Sequence, residues 1–335
     1  MFHTSIESIC NTIRDYRNGE IDPITPKDVS KWASQFDHNY RDTMLIELDH
    51  VLQSTYFSKN RIRNFLTNLI ENKELTGNNP CQFWSNARLL NIQQRGSSQR
   101  EMLEILQDCL VKQCGKQGII DSCNSNVFIY IDDAIFTGNH VHRDVAEWAR
   151  RDAPQTATIH IIVAADHCGS YYAKNKLAKE IEETTKNITV NWWSCNKIEN
   201  RIKYINKSDI LCPRNLPNDL MVQAYAEGLK YPVNFRTGEN QGYLQIFSSE
   251  SNRHALEQGL LIAGVSIKNR CLNLKKSHRP LGYTSLECLG FGSTVVTYRN
   301  CPNNTPLAFW VGDPWFPLFP RKINEPNIDW GDVNF

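Results

Sequence analysis

Two adjacent carboxylates, Asp132 and Asp133, end an uninterrupted apolar run, Val127-Phe128-Ile129-Tyr130-Ile131, and shortly afterwards the chain passes through Thr137-Gly138-Asn139-His140. An apolar run of this length reads as a buried strand, which places both acids at its carboxyl edge, where open α/β sheets bind ligands. The turn that follows aims backbone N–H groups and a helix N-terminus at one point, an arrangement suited to a phosphate. In that reading the segment from Ile135 through Phe136, Thr137, Gly138 and Asn139 to His140 cradles a phosphate monoester. Gly138 permits close backbone approach, and Asp132 and Asp133 face the hydroxyls of a ribose. The plainer alternative is a strand-to-helix turn in which the first acid caps the helix and the second is solvated.

The elements around this segment fit an α/β core. A helix is expected from about Val141 to Arg150, a strand from Thr158 to Ala165, a helix from Tyr171 to Thr185 and a further strand from Ile188 to Trp193. Alternation of this kind implies a parallel sheet of four or more strands, covered on both faces. From Ile6 to about Leu110 the apolar spacing is helical, as in Val29-Trp32-Ala33-Phe36, with Thr25-Pro26 as cap and first helical residue. Gly96-Ser97-Ser98 precedes a helix from about Gln99 to Gln113. The last third is mixed, with a helix from about Ser251 to Ala263 ended by Gly264, a strand-like Thr294 to Tyr298, and an aromatic, proline-rich tail. The expected organisation is a mainly helical part at 1–115, an α/β core at 116–215, and a mixed C-terminal part at 216–335.

The 37 basic and 36 acidic residues nearly cancel, and no basic run suggests a broad nucleic-acid surface. Neither a signal peptide nor a membrane span is legible, so a cytoplasmic protein without a membrane partner is expected. Eleven cysteines lack any CxxC pair. Their scatter reads as reduced thiols, most of them small core residues.

The strand, the paired acids, the two apolar residues and the Thr-Gly turn resemble the phosphoribosyl-pyrophosphate signature of type I phosphoribosyltransferases. The resemblance implies that Asp132 and Asp133 act as the catalytic acids, contacting ribose and magnesium, and that the turn contacts the 5′-phosphate. Phe136 stands where a small hydroxyl residue is usual in that family, and His140 where threonine is usual. A pyrophosphate site is also implied, and Gly96, Ser97, Ser98 and Arg100 offer small residues, a helix start and a cation ahead of the strand. A serine-capped helix N-terminus with an exposed arginine is the plainer account of those four residues.

Further stretches widen the resemblance: Trp32 to Phe36, Gly96 to Gln99, Phe247 to Glu250, and Asn300 to Pro306 through Trp315 to Arg321. They are similar to a phosphoribosyltransferase-like family of bacterial conflict systems, PRTase-CE. Membership implies a nucleotide or phosphoribosyl pyrophosphate ligand, an antiphage role and partner proteins of a defence system. It also implies a phosphoribosyltransferase-like fold: a parallel-sheet core with a helical N-terminal part and a mixed C-terminal hood. Two functions from different classes follow. One is an enzyme that makes or breaks a phosphoribosyl or N-glycosidic bond; the other is a nucleotide-sensing module without turnover.

Other residues invite chemistry less strongly. His140, His142, His160 and His167 with Cys168 have no structural zinc spacing. Cys168 beside His167 reads as a buried thiol before it reads as a nucleophile. Asn303 to Pro306, Trp310, Trp315, Phe316 and Arg321 fit either a hood over a nucleobase or core packing, the usual use of such side chains.

Overall fold

The computed structural model describes residues 2–94, 96–116, 125–237 and 245–322. Cys123 and the end of the C-terminal tail, 323–335, lie outside the described residues. The chain opens with helices α1 (Phe2–Thr12), α2 (Pro26–Ala33) and α3 (His38–Thr55), then a short strand β1 (Tyr56–Phe57). Thr25 begins α2 as expected, accepting from the Asp28 N–H while the Asp28 carboxylate takes the Thr25 N–H, a closed capping box behind Pro26. Helices α4 (Lys59–Ile70), α5 (Lys73–Thr76) and α6 (Pro80–Asn86) lead to β2 (Arg88–Leu89) and α7 (Ser98–Cys114). The core alternates through β3 (Val127–Ile135), α8 (Asn139–Arg151), β4 (Thr156–His167), α9 (Tyr171–Glu182) and β5 (Asn187–Ile198). After it come α10 (Leu220–Glu227), α11 (Glu250–Arg270), β6 (His278–Arg279), β7 (Gly282–Tyr283), β8 (Val296–Thr297) and α12 (Leu307–Trp310).

Strands β2, β3, β4 and β5 lie side by side in chain order, and every pairing is parallel. This is the parallel α/β sheet that the alternation predicts. Ile129, Ile131, Ile162 and Ala164 pack with Met102 and Leu106 of α7 on one face. On the other, Phe128, Tyr130, Ile159, Ile161 and Val163 pack with Val141, Val145 and Trp148 of α8 and Leu177 of α9. With a strand order that never reverses, helices on opposite faces require crossovers of opposite hand, so β2–α7–β3 turns the other way from β3–α8–β4. The consequence is local: the loop entering α7 and the loop entering α8 reach the same sheet edge from opposite faces.

A separate apolar cluster joins α1, α2 and α3 to α11 and the C-terminal segment. The Trp32 indole donates to the Ala308 carbonyl at 2.7 Å, and the Tyr16 hydroxyl to the Pro320 carbonyl at 3.0 Å. Arg236 is buried against Glu250 and Glu257 of α11, and Arg253 of the same helix against Glu257, a network in which each guanidinium meets a carboxylate. Pairing of β1 with β8, Tyr56 against Val296 and Phe57 against Thr297, carries the residues after β8 toward the sheet.

Several expectations are corrected. The first core strand runs through Ile135 rather than ending at Ile131, so Asp132 and Asp133 lie within β3. Gly264 does not end its helix: α11 continues to Arg270, and a Cβ at 264 would lie 2.6 Å from the Pro280 carbonyl oxygen, so this glycine serves close packing. The strand expected over 294–298 reduces to the two residues of β8. Nor are the cysteines all reduced, since Cys81 and Cys114 form a disulfide between α6 and the end of α7. Among the described free thiols only Cys109 and Cys301 are buried, which overturns their reading as mostly core residues.

Candidate functional site

Asp132 is 5% exposed, close to the carboxyl edge of β3 and opposite Val163 of β4. Its carboxylate accepts the Asp133 N–H at 2.8 Å and a hydrogen bond from the Ser98 hydroxyl, with the Gln93 amide at 3.5 Å. Burial first, and the neighbouring Asp133 charge second, push its pKa up to about 7, against the pull of these donors and of Arg299. Neither acid caps a helix. The residue before α8 is Gly138, which has no capping side chain. The plainer account of the pair is therefore excluded.

The loop between β2 and α7 is built around two glutamines. Gln99, fully buried, accepts the N–H groups of Ile92 at 2.6 Å and Gln93 at 2.8 Å through one oxygen. Gln93 answers by accepting the Gln99 N–H at 3.1 Å and donating to the Ser98 hydroxyl at 2.8 Å. This interlock holds Ser97 and Ser98 beside the acids. Ser97 precedes α7 without capping it, its hydroxyl instead donating to Glu101 at 3.0 Å. Gly96, at φ +97°, makes the turn. Arg100 is exposed and forms no ion pair with either acid among the described residues.

The cation at this place is Arg299, which sequence reasoning missed. Its guanidinium reaches Glu101 through two nitrogens at 2.7 and 2.9 Å, Asp133 at 2.9 Å and the Ser97 hydroxyl at 3.1 Å. Arg299 follows β8, and the Tyr298 N–H donates to the Phe57 carbonyl at 2.9 Å, so the β1–β8 pairing sets its position. The Arg299 contacts hold the Glu101 carboxyl below its ordinary range despite partial burial.

On the other side of β3, the turn at Thr137 and Gly138 leads into α8. Gly138 has φ +81°, and a Cβ there would lie 2.8 Å from that of Ala173 and 3.4 Å from that of Ser170, so this turn is seated on the start of α9. Thr137, Asn139 and His140 are exposed. The N–H groups of Asn139 and Val141 lie in the first turn of α8, where helix geometry supplies no acceptor from the helix itself. Ile135 is buried, its carbonyl accepting the buried His167 ring at Nδ1 at 2.8 Å. The Phe136 ring stacks on His167 at 4.7 Å and meets Phe291 edge-on, so it faces the core and leaves only its backbone for a ligand. The Ser293 hydroxyl lies 3.0 Å from His167 Nε2. Burial lowers the His167 pKa to about 4, so the ring is neutral at ordinary pH.

The remaining candidates are dispersed. His160 sits 3.0 Å from the Trp193 indole nitrogen, and His142 pairs with Glu180 at 3.1 Å. Cys168 is half-buried, its thiol pushed up by burial and by Glu199, which opposes nucleophile formation. Trp315 and Phe319 lie in the first apolar cluster, with Trp310 and Phe316 packed against it.

No group of three His, Cys, Asp or Glu side chains among the described residues forms a metal cage. Two hard carboxylates at a sheet edge do fit magnesium shared with ligand phosphates, since that ion keeps waters and takes one or two protein carboxylates. No helix of the described residues is long and apolar enough to cross a membrane.

Comparison with curated proteins finds no match. The family model PRTase-CE, in contrast, matches residues 29–321, a span that takes in the loop at 92–99, the paired acids, the turn into α8 and Arg299. With a parallel α/β core and a match over most of its length, the chain belongs to the PRTase-CE family.

Proposed function

We propose that this protein binds a ribose-phosphate ligand, a nucleotide or phosphoribosyl pyrophosphate, and makes or breaks the bond between the ribose and its base or diphosphate. The observation that supports this most is convergence: the loop at 96–98 with Arg299, the pair Asp132 and Asp133, and the turn at 136–140 meet at one sheet edge. In this reading the phosphate rests on the backbone from Ile135 to His140, with the Thr137 hydroxyl. Asp132 and Asp133 hold the ribose hydroxyls, while Gly96, Ser97, Ser98 and Arg299 hold the diphosphate, with Arg100 at the rim.

Cleavage at the anomeric carbon builds positive charge on the sugar ring, so catalysis rests on positioning and on fixed negative charge rather than on a strong base. Asp133 supplies that charge, and Asp132 joins it once its proton leaves. Ser98 and the Asp133 N–H orient the Asp132 carboxylate. Magnesium, held by Asp132 and Asp133 together with the ligand, would neutralise the diphosphate.

We propose further that the protein acts in bacterial conflict, as a cytoplasmic antiphage effector with partner proteins, a reading supported only by its membership of PRTase-CE. A second reading, a nucleotide sensor without turnover, draws on Phe136 facing the core and on Arg299 already engaging Asp133. The deciding experiment incubates the purified protein and its Asp133→Asn variant with magnesium, phosphoribosyl pyrophosphate and a nucleotide panel, with products followed by chromatography and mass detection. Release of base, ribose phosphate or diphosphate by the native protein alone supports the enzyme. Binding that the variant loses, without products, supports the sensor; no binding at all sinks both.

A further inference from the structure

Beside the turn at 136–140 lies a surface that neither the core nor the proposed reaction uses. Tyr172 is 70% exposed, and its ring centroid stands 3.9 Å from that of Tyr171 at the start of α9. The Arg201 guanidinium, just past β5, lies 4.4 Å over the Tyr204 ring. A hydrogen bond of 2.6 Å from the Gly169 N–H to the Asn200 side chain ties the two segments together. Glu199 holds one edge of Arg201 through Nε and Nη2, at 2.9 and 2.5 Å, a bidentate pair that fixes the plane of the guanidinium. Three tyrosines and a flat cation at a sheet edge are the components of a stacking platform.

The place of this platform decides what it would hold. It follows β4 and β5, while Ser97, Ser98 and Arg299 lie toward β2, on the other side of Asp132 and Asp133. The turn containing Gly138 packs directly on Ser170 and Ala173, the neighbours of the tyrosines. In a nucleotide the phosphate hangs from C5′ and the base from C1′, across the sugar ring. A platform beyond the phosphate, away from the acids, therefore meets whatever is joined through that phosphate rather than the nucleotide's own base.

We infer that the ligand is a diphosphate-linked dinucleotide, whose first ribose phosphate occupies the turn at 136–140 and whose second base stacks among Tyr171, Tyr172, Tyr204 and Arg201. This rests on the reading of that turn as a phosphate cradle. A dinucleotide is favoured over a nucleic-acid strand because the chain's 37 basic and 36 acidic residues cancel and Arg201 is already neutralised by Glu199, whereas a strand needs several free cations.

The test is calorimetric titration with AMP, ADP and diadenosine diphosphate in magnesium buffer, using the whole chain and the variants Tyr172→Ala, Tyr204→Ala and Thr137→Asp. Diadenosine diphosphate should bind about tenfold more tightly than ADP, the usual scale of one stacked base. Both tyrosine variants should remove that excess and leave AMP unchanged, and Thr137→Asp, which places a charge in the exposed turn, should weaken all three ligands. If AMP and ADP bind and the dinucleotide gains nothing, the platform is refuted while the cradle stands. If none of the three binds, the cradle reading itself fails and the inference with it. A single-stranded oligonucleotide that outcompetes the dinucleotide, with steep salt dependence, would overturn it in favour of nucleic acid.

Discussion

Arg299 and Asp133, 166 residues apart in the chain, meet at 2.9 Å between Nη1 and Oδ2, and the same guanidinium grips Glu101 with its other nitrogens. Three carboxylates, Asp132, Asp133 and Glu101, are thus gathered around one cation that is itself nearly buried. Such an arrangement is costly to break by removing one partner, because the acids left behind repel one another where water screens them only in part.

Arg299→Ala should therefore lower stability by about 2 kcal/mol, reduced from the fully buried case by the partial exposure of Glu101. Arg299→Lys should recover part of that, since an ammonium restores the charge but not the fork that reaches both Glu101 oxygens. Urea unfolding at pH 8 and pH 5.5 checks the cause. A loss that shrinks at the lower pH identifies charge repulsion, and an equal loss at both identifies packing instead.

Asp132 carries a second consequence for pH. Its pKa in the folded protein, about 7, lies above the ordinary value of 3.8, so between these limits the folded state keeps a proton that the unfolded chain releases. Stability from this group is therefore full below about pH 4 and declines as pH rises toward 7. Asp132→Asn, which cannot titrate, should remove that decline and so gain roughly 4 kcal/mol on the native protein between pH 4 and pH 8. Parallel stability profiles for the two proteins from pH 4 to 8 would show that the carboxyl is not raised. If the proposed function holds, ligand and magnesium affinity should climb through pH 7 in the native protein, as the carboxylate forms.

Gly138→Ala addresses the turn. At φ +81° an added Cβ is strained, and it would also stand 2.8 Å from Ala173. Together these should cost about 2 kcal/mol in urea unfolding. Measured against Ala173→Gly alone, which carries its own cost of glycine in α9, adding Gly138→Ala should cost only the backbone strain of about 1 kcal/mol. A double variant as stable as Ala173→Gly alone would place the whole effect in the clash.

How far the sequence carried the site depends on whether a feature is local. The run Val127 to Ile131, the acids and the Thr-Gly turn are contiguous, so period and turn chemistry revealed them together. Ser97 and Ser98 were legible as a helix start, but their setting beside Asp132 depends on the interlock of Gln99 with Gln93, and Gln93 is a residue that no pattern marks. Arg299 stands between Tyr298 and Asn300 in an ordinary polar turn, and only the β1–β8 pairing brings it to the acids. The Cys81–Cys114 pair was hidden for the same reason: a separation of 33 residues has no spacing rule. Gly264 misled because glycine ends helices more often than it relieves a packing contact inside one.

His167 links the stability of the core to the turn that would hold phosphate. Its ring donates through Nδ1 to the Ile135 carbonyl and supports Phe136, and in the neutral form it accepts from Ser293 at Nε2, a bond that a protonated ring could not accept. With a folded pKa of about 4 against an ordinary 6.5, protonation is resisted in the folded state while the unfolded chain takes up a proton from pH 6.5 downward. The native protein should accordingly lose roughly 2–3 kcal/mol between pH 6.5 and pH 4 through this group. His167→Asn keeps a donor for Ile135, gives up the contacts to Ser293 and Phe136, and should be the less stable protein at pH 7. Its deficit should narrow steadily as the pH falls toward 4, because the variant has no ring to protonate. His278, also lowered to about 4, titrates in both proteins, so the difference between them isolates His167. Unfolding followed at half-unit steps decides the matter. A deficit that stays constant across the window would mean that the ring accepts its proton as easily folded as unfolded, and the neutral bridge from Ile135 to Ser293 would have to be abandoned.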